Sequence, residues 1–183
     1  MTLDKSKFDN SWYKPGPFWK RLLWYYVSVL LFRNSLLPFS AFKIFILKLF
    51  GAKIGSGCRI KPGVNIKYPW FLELGNNVGL GEDCWIDNIA LVKMGNNVTV
   101  SQGALLETGN HNYKSRSFSL MLGEIHLEDG AWVGAKAVVG PGVRLHKNAL
   151  LSLGSCTSKD LEENSIYVGN PAVFVKKRIY SED

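Results

Sequence analysis

The sequence predicts an all-β solenoid, a prism wound from short strands, on three observations. An aliphatic residue returns every sixth position, at Ile54, Ile60, Ile66, Leu74, Leu80, Ile86, Met94, Val100 and Leu106, and again at Leu127, Val133, Val139, Leu145 and Leu151. A second series of small or apolar residues follows many of these four places later, at Cys58, Val64, Val78, Cys84, Val98, Ala104, Ala131, Ala137, Val143 and Ala149. Glycine and asparagine recur between the hexads, at Gly57, Gly63, Gly75-Asn76-Asn77, Gly81, Gly95-Asn96-Asn97, Gly103, Gly130 and Gly142, where corners need backbone angles that β-branched residues resist. Two inward positions in six fit neither an amphipathic helix nor a half-buried strand. A fixed short period marks units that bury their apolar faces only by stacking.

Residues 1–53 precede the hexads and differ from them in charge. They carry nine Lys or Arg against Asp4 and Asp9, so the whole net charge of +7 resides there, with 13 of the 23 aromatic residues. Two helices are predicted, Phe18 to about Arg33 and Phe39 to about Phe50, separated by Pro38. Both fall short of the ~20 apolar residues that cross a bilayer. Two roles follow for this segment. It caps the open end of the prism, as solenoid ends require; or its basic aromatic helices, with Lys14, Lys20, Arg21 and Lys43, also touch an anionic membrane surface. No recognition motif accompanies the charge, which excludes nucleic acid as its target.

Residues 54–161 form the prism, in which three hexads close one coil and about five coils fit between Ile54 and Asp160. The eight-residue steps from Ile66 to Leu74 and from Ile86 to Met94 are absorbed as corner bulges. The hexads stop once, after Leu106, and residues 109–126 leave the prism as a loop beginning Gly109-Asn110-His111-Asn112-Tyr113. A long insertion in a tight solenoid marks a functional loop. Residues 162–183 are a short extension. Cys58, Cys84 and Cys156 lack paired metal-ligand spacing and read as small hydrophobes of a reducing compartment. The apolar run Leu22 to Phe32 follows a long polar start and has no small-residue cleavage site, so a cytoplasmic protein is expected, peripheral at the inner face of the membrane if the helices bind it.

The hexads, together with Lys67-Tyr68-Pro69-Trp70, Val100-Ser101-Gln102-Gly103-Ala104, Gly109-Asn110-His111-Asn112-Tyr113, Gly130-Ala131-Trp132-Val133-Gly134-Ala135 and Gly169-Asn170-Pro171-Ala172, resemble the hexapeptide-repeat acyltransferases, in particular the colanic-acid-biosynthesis type of O-acetyltransferase. The resemblance covers roughly the whole chain. It implies a left-handed parallel β-helix, a homotrimer with sites between adjacent prisms, acetyl-CoA as co-substrate, no metal, and a sugar hydroxyl as acceptor in surface or extracellular polysaccharide assembly.

Residue by residue, the resemblance makes His111 the general base. A neutral imidazole suits that task near neutral pH. It implies that Trp132, Gly134 and Ala135 line the groove for the pantetheine arm, small residues letting an extended chain lie close. Ser152-Leu153-Gly154-Ser155 stands where many relatives have Gly-Ala-Gly-Ser, so Leu153 is a bulkier cofactor contact. Ser158 and Lys159 match the usual Thr-Lys, and Lys176, with Lys177 and Arg178, follows the terminal turn. Such cations suit the phosphates of CoA. Asp87 and Asn88, one coil before His111, are expected to meet the acceptor. Glu82 and Asp83 read as corner solvation, and His126 and His146 as surface or packing residues. Some proteins of this fold hold zinc through three histidines, but the separations of His111, His126 and His146 do not match that pattern. A xenobiotic acetyltransferase of the same fold and a catalytically silent scaffold are the alternative functions.

Overall fold

The structure, a computed structural model, describes residues 2–34 and 36–181. The hexad residues stack coil upon coil in parallel register, which makes the three sides of the prism. On the first face Ile54, Leu74, Met94, Leu127 and Leu145 are successive partners. On the second face the column is Ile60, Leu80, Val100, Val133, Leu151 and Tyr167, and on the third Ile66, Ile86, Leu106, Val139 and Thr157. Five coils are complete. A sixth begins with a bridge from Leu145 to Leu161 and the strand Ser165–Gly169. Both predicted inward series are buried throughout. Hydrophobic burial and backbone pairing thus run along the prism axis, each coil supplying the other's missing partner.

The eight-residue steps are lengthened strands as well as bulges. Leu72–Leu74 and Val92–Met94 each have three residues, with Leu72 and Val92 as additional buried positions, and a 3-10 turn, Pro69–Phe71, opens the first of them. The glycines divide into two groups. Gly57 and Gly63 adopt positive φ as expected. Gly81 has no such angle; a Cβ there would lie 2.5 Å from the backbone nitrogen of Gln102, so glycine is required by the next coil.

The N-terminal segment forms α1, Phe18–Leu31, and α2, Ser40–Leu49, over the first coil. Trp24, Phe32 and Leu47 extend the apolar core across the end of the prism. Polar groups of the helices meet the edge strands: the Trp24 indole donates to the Ile66 carbonyl at 3.0 Å, and the Ser40 hydroxyl to the Ile60 carbonyl at 3.1 Å. An otherwise open sheet edge is closed in this way. Lys43, expected among the exposed cations, is instead fully buried. Its ammonium donates to the Lys61 carbonyl at 3.1 Å, and burial pulls its pKa down. At the far end Ser165–Gly169 pairs antiparallel with Ala172–Lys177.

Candidate active site

The insertion between the third and fourth coils is an antiparallel hairpin rather than an irregular loop. Gly109–His111 pairs with Leu120–Leu122, and the amide of Gly123 donates to the Thr108 carbonyl at the base. Its tip is held by Asn112, which accepts from Lys114 through its side chain and donates to the Ser119 carbonyl. Phe118 sits in this tip with φ of 50°, a backbone conformation unfavourable for a bulky residue.

His111 is fixed by that residue. Its Nδ1 lies 2.9 Å from the Phe118 carbonyl oxygen, and the two rings stack at 4.3 Å with planes 8° apart. A carbonyl only accepts, so Nδ1 carries the proton and Nε2 keeps its lone pair. The opposite wall comes from the N-terminus. Phe8 lies 5.8 Å from the imidazole, Lys5 spans the Phe118 ring, and the amide of Asp4 donates to the Arg116 carbonyl. Lys5, Phe8, His111 and Phe118 line an open cavity of about 270 Å³. Farther along, Tyr13 donates to the Ile89 carbonyl at 2.7 Å and the Trp70 indole to the Pro15 carbonyl at 3.0 Å, so the segment is tied down between His111 and α1.

On the third face Asp87, one coil below, is the register partner of Glu107, which leads into the hairpin. One Asp87 carboxylate oxygen is buried without a hydrogen-bond partner. Burial, helped by the Asp87 charge, raises the pKa of Glu107, although the Gly109 amide that donates to it works in the opposite direction. Asn88 corrects the expectation of an acceptor contact: it is fully buried, and its amide accepts from the Tyr68 amide and donates to the carbonyls of Tyr68 and Phe71. Its side chain is consumed in clamping the Pro69–Phe71 turn.

A second groove, of about 280 Å³, lies at the corner joining the second and third faces and is lined by Ser101, Gln102, Trp132, Ala135 and Leu153 among others. The Trp132 indole donates to the Ser101 hydroxyl at 2.8 Å, which fixes a partly exposed ring. The structure thus brings Trp132, Gly134, Ala135 and Leu153 together. Gly134 has a further reason to be glycine, since a Cβ there would lie 2.5 Å from the Leu153 nitrogen of the next coil. Ser158 and Lys159 fall at the following corner, outside the lining of this groove, and Lys176 is exposed on the C-terminal strand. The cation beside Trp132 is Arg178. Its guanidinium lies 5.9 Å from the indole and donates to the carbonyls of Gly130 and Asn148.

The two cavities share no residue. A larger one of about 580 Å³ lies on the first face by Lys93, His126 and Arg144, where side chains are paired with one another at the surface: His126 with Glu124, and His146 and Arg144 with Glu128. Among the described residues no three His, Cys, Asp or Glu side chains are grouped to hold a metal ion.

No family model matches the chain. It is 32% identical over 170 residues to the Escherichia coli K12 protein named "Putative colanic acid biosynthesis acetyltransferase WcaF", with 93% of each chain covered. In fold it is similar to a hexapeptide-repeat acetyltransferase from Vibrio cholerae, with TM-score 0.79 and 16% identity over 88% of this chain and 92% of the other. It is also similar to a galactoside acetyltransferase solved with coenzyme A, with TM-score 0.77 and 22% identity over 87% and 81%.

Proposed function

From the premise that this chain belongs to the hexapeptide-repeat, left-handed β-helix acetyltransferases related to the colanic-acid type, we propose that it moves an acetyl group from acetyl-CoA to a sugar hydroxyl during assembly of a surface or extracellular polysaccharide. The observation that carries the reading is the state of His111. With Nδ1–H spent on the Phe118 carbonyl, Nε2 is the free base, aimed by a stacked ring. Acetyl-CoA supplies the activated acetyl thioester. Nε2 takes the proton of the acceptor hydroxyl as its oxygen attacks the acetyl carbon, and returns a proton to the departing sulfur.

The groove at Trp132 suits the pantetheine arm, with an anchored indole and Leu153 on its walls and the small Ala135 between them. Arg178, Lys159 and Lys176, with the Ser158 hydroxyl, are available for the phosphates. The separation of base and groove in one chain supports a working site formed between adjacent copies of a homotrimer, with His111 of one facing Trp132 of the next. Asp87 and Glu107 hold acceptor hydroxyls. Acetyl-CoA and the free thiols of Cys58, Cys84 and Cys156 both suit the cytoplasm.

The test is thiol release from acetyl-CoA in the presence of a panel of sugars and sugar nucleotides, with the product identified by mass. An O-acetyl ester on one of them is the expected result. Acetyl-CoA binding with no transfer to any sugar would favour a silent scaffold, and transfer only to non-sugar hydroxyls would favour a xenobiotic enzyme.

A further inference from the structure

The helices that close the prism leave a surface that capping does not explain. On α1 the residues Phe18, Trp19, Leu22, Leu23, Tyr26 and Leu30 are exposed, spaced to share one side of the helix, while Trp24 and Ser28 are buried on the other. On α2 the exposed residues Phe42, Phe45, Lys48 and Leu49 recur at the same helical interval, opposite the buried Lys43 and Leu47. Phe18, Trp19, Leu30 and Leu49 each leave about two thirds of their surface open. Both helices bury their inner side on the same first coil, through Trp24 to Ile66 and Lys43 to Lys61, so both apolar sides face away from the prism. A contiguous apolar surface of this kind marks a contact.

Charge identifies the occupant. Residues 18–52 contain no Asp or Glu; the exposed Lys48 lies among the apolar residues of α2, and the exposed Arg33 follows the end of α1, in a cleft it shares with Tyr25 and Arg21. A second copy applied through this face would set like charges against like, because a two-fold interface meets itself. An anionic lipid surface neutralises all of them. Trp19, Tyr25 and Tyr26 are exposed as well, the side chains that settle at the headgroup level with an apolar body and a polar tip. No described helix is long and apolar enough to cross a bilayer.

We propose that the outer sides of α1 and α2 dock the protein on an anionic lipid bilayer, with both helices lying in its interface. The apolar residues enter the acyl boundary while Arg33 and Lys48 meet the headgroups. Tyr13 and Trp70 tie the same N-terminal segment to the two coils below the His111 hairpin, and Asp4 and Phe8 tie it to the hairpin itself, so docking sets the His111 cavity at a fixed height above the lipid.

The experiment uses the full-length protein and vesicles of phosphatidylcholine alone or with phosphatidylglycerol, read by co-sedimentation, with no turnover required; its outcome is therefore independent of the acetyl-transfer reading. The wild type should sediment with the anionic vesicles and be released as salt rises. Arg33→Gln with Lys48→Gln should weaken binding about 25-fold, roughly fivefold for each cation at the surface. Phe42→Gln with Phe45→Gln should abolish binding while thermal melting and oligomer size stay as in the parent, because both side chains are exposed. Wild-type protein left in the supernatant even at low salt would overturn the proposal. So would equal binding to neutral vesicles unaffected by the charge variant, or dissociation of the oligomer by the phenylalanine variant, which would make this face an interface between copies.

Discussion

Phe118 presents both its ring and its carbonyl to His111: the rings stack at 4.3 Å, and the carbonyl oxygen takes the Nδ1 proton at 2.9 Å. One residue in an unfavourable backbone conformation, φ 50°, does both. Strain of this kind persists where the surroundings impose it and is common at functional sites.

The stacked ring and the carbonyl can be separated. Phe118→Gly keeps the carbonyl and accepts the positive φ readily but removes the ring. It should lower kcat by roughly tenfold or more, since a small misplacement of a base is costly, with little change in KM for acetyl-CoA. Steady-state kinetics check this; an unchanged kcat would show that the hydrogen bond alone orients His111.

Asn88 and Asp87 should behave in opposite ways. Asn88→Ala leaves the amide and carbonyl of Tyr68 and the carbonyl of Phe71 without their buried partner, which should cost about 3 kcal/mol in a denaturant titration. Asp87→Asn should leave stability nearly unchanged and raise KM for the acceptor.

Glu107 gives a pH dependence of known sign. Its folded-state pKa is raised, by burial first and the Asp87 charge second, so its ionised form weakens the fold at neutral pH. That penalty disappears as pH falls through the folded pKa, where the carboxyl protonates. Glu107→Gln, which can still accept from the Gly109 amide, should therefore melt above the parent at neutral pH, and the difference should shrink in acid. A difference that grows on acidification would contradict this.

Trp132→Ala should weaken CoA binding by about tenfold and leave melting unaffected, because the ring is partly exposed and its one hydrogen bond, to Ser101, is at the surface. Calorimetric titration with CoA measures it.

The prism was legible because the hexad residues are the stacked residues themselves: Ile60, Leu80 and Val100 are both a sequence period and a column in space. The two helices were legible from Pro38 and their apolar content, with ends within about two residues of α1 and α2. The direction of Lys43 was not, since whether a lysine reaches a carbonyl of the capped edge depends on the docking of α2. His111 stood out because the period breaks beside it. Phe118 did not, because it orients His111 partly through a backbone carbonyl, which every residue has. Arg178 and Lys176 are neighbouring cations in the chain, and only the antiparallel return of Ala172–Lys177 brings one of them to Trp132. The burial of Asn88 was not legible, because a buried amide satisfied by backbone and an amide waiting for substrate have the same letter.

The most direct measurement compares kcat for acetyl transfer by the wild type and by His111→Ala, with CoA affinity determined on both. If Nε2 of His111 is the base, kcat falls by roughly 10²–10⁴-fold while CoA binds as before. Retention of full activity by His111→Ala would contradict the account.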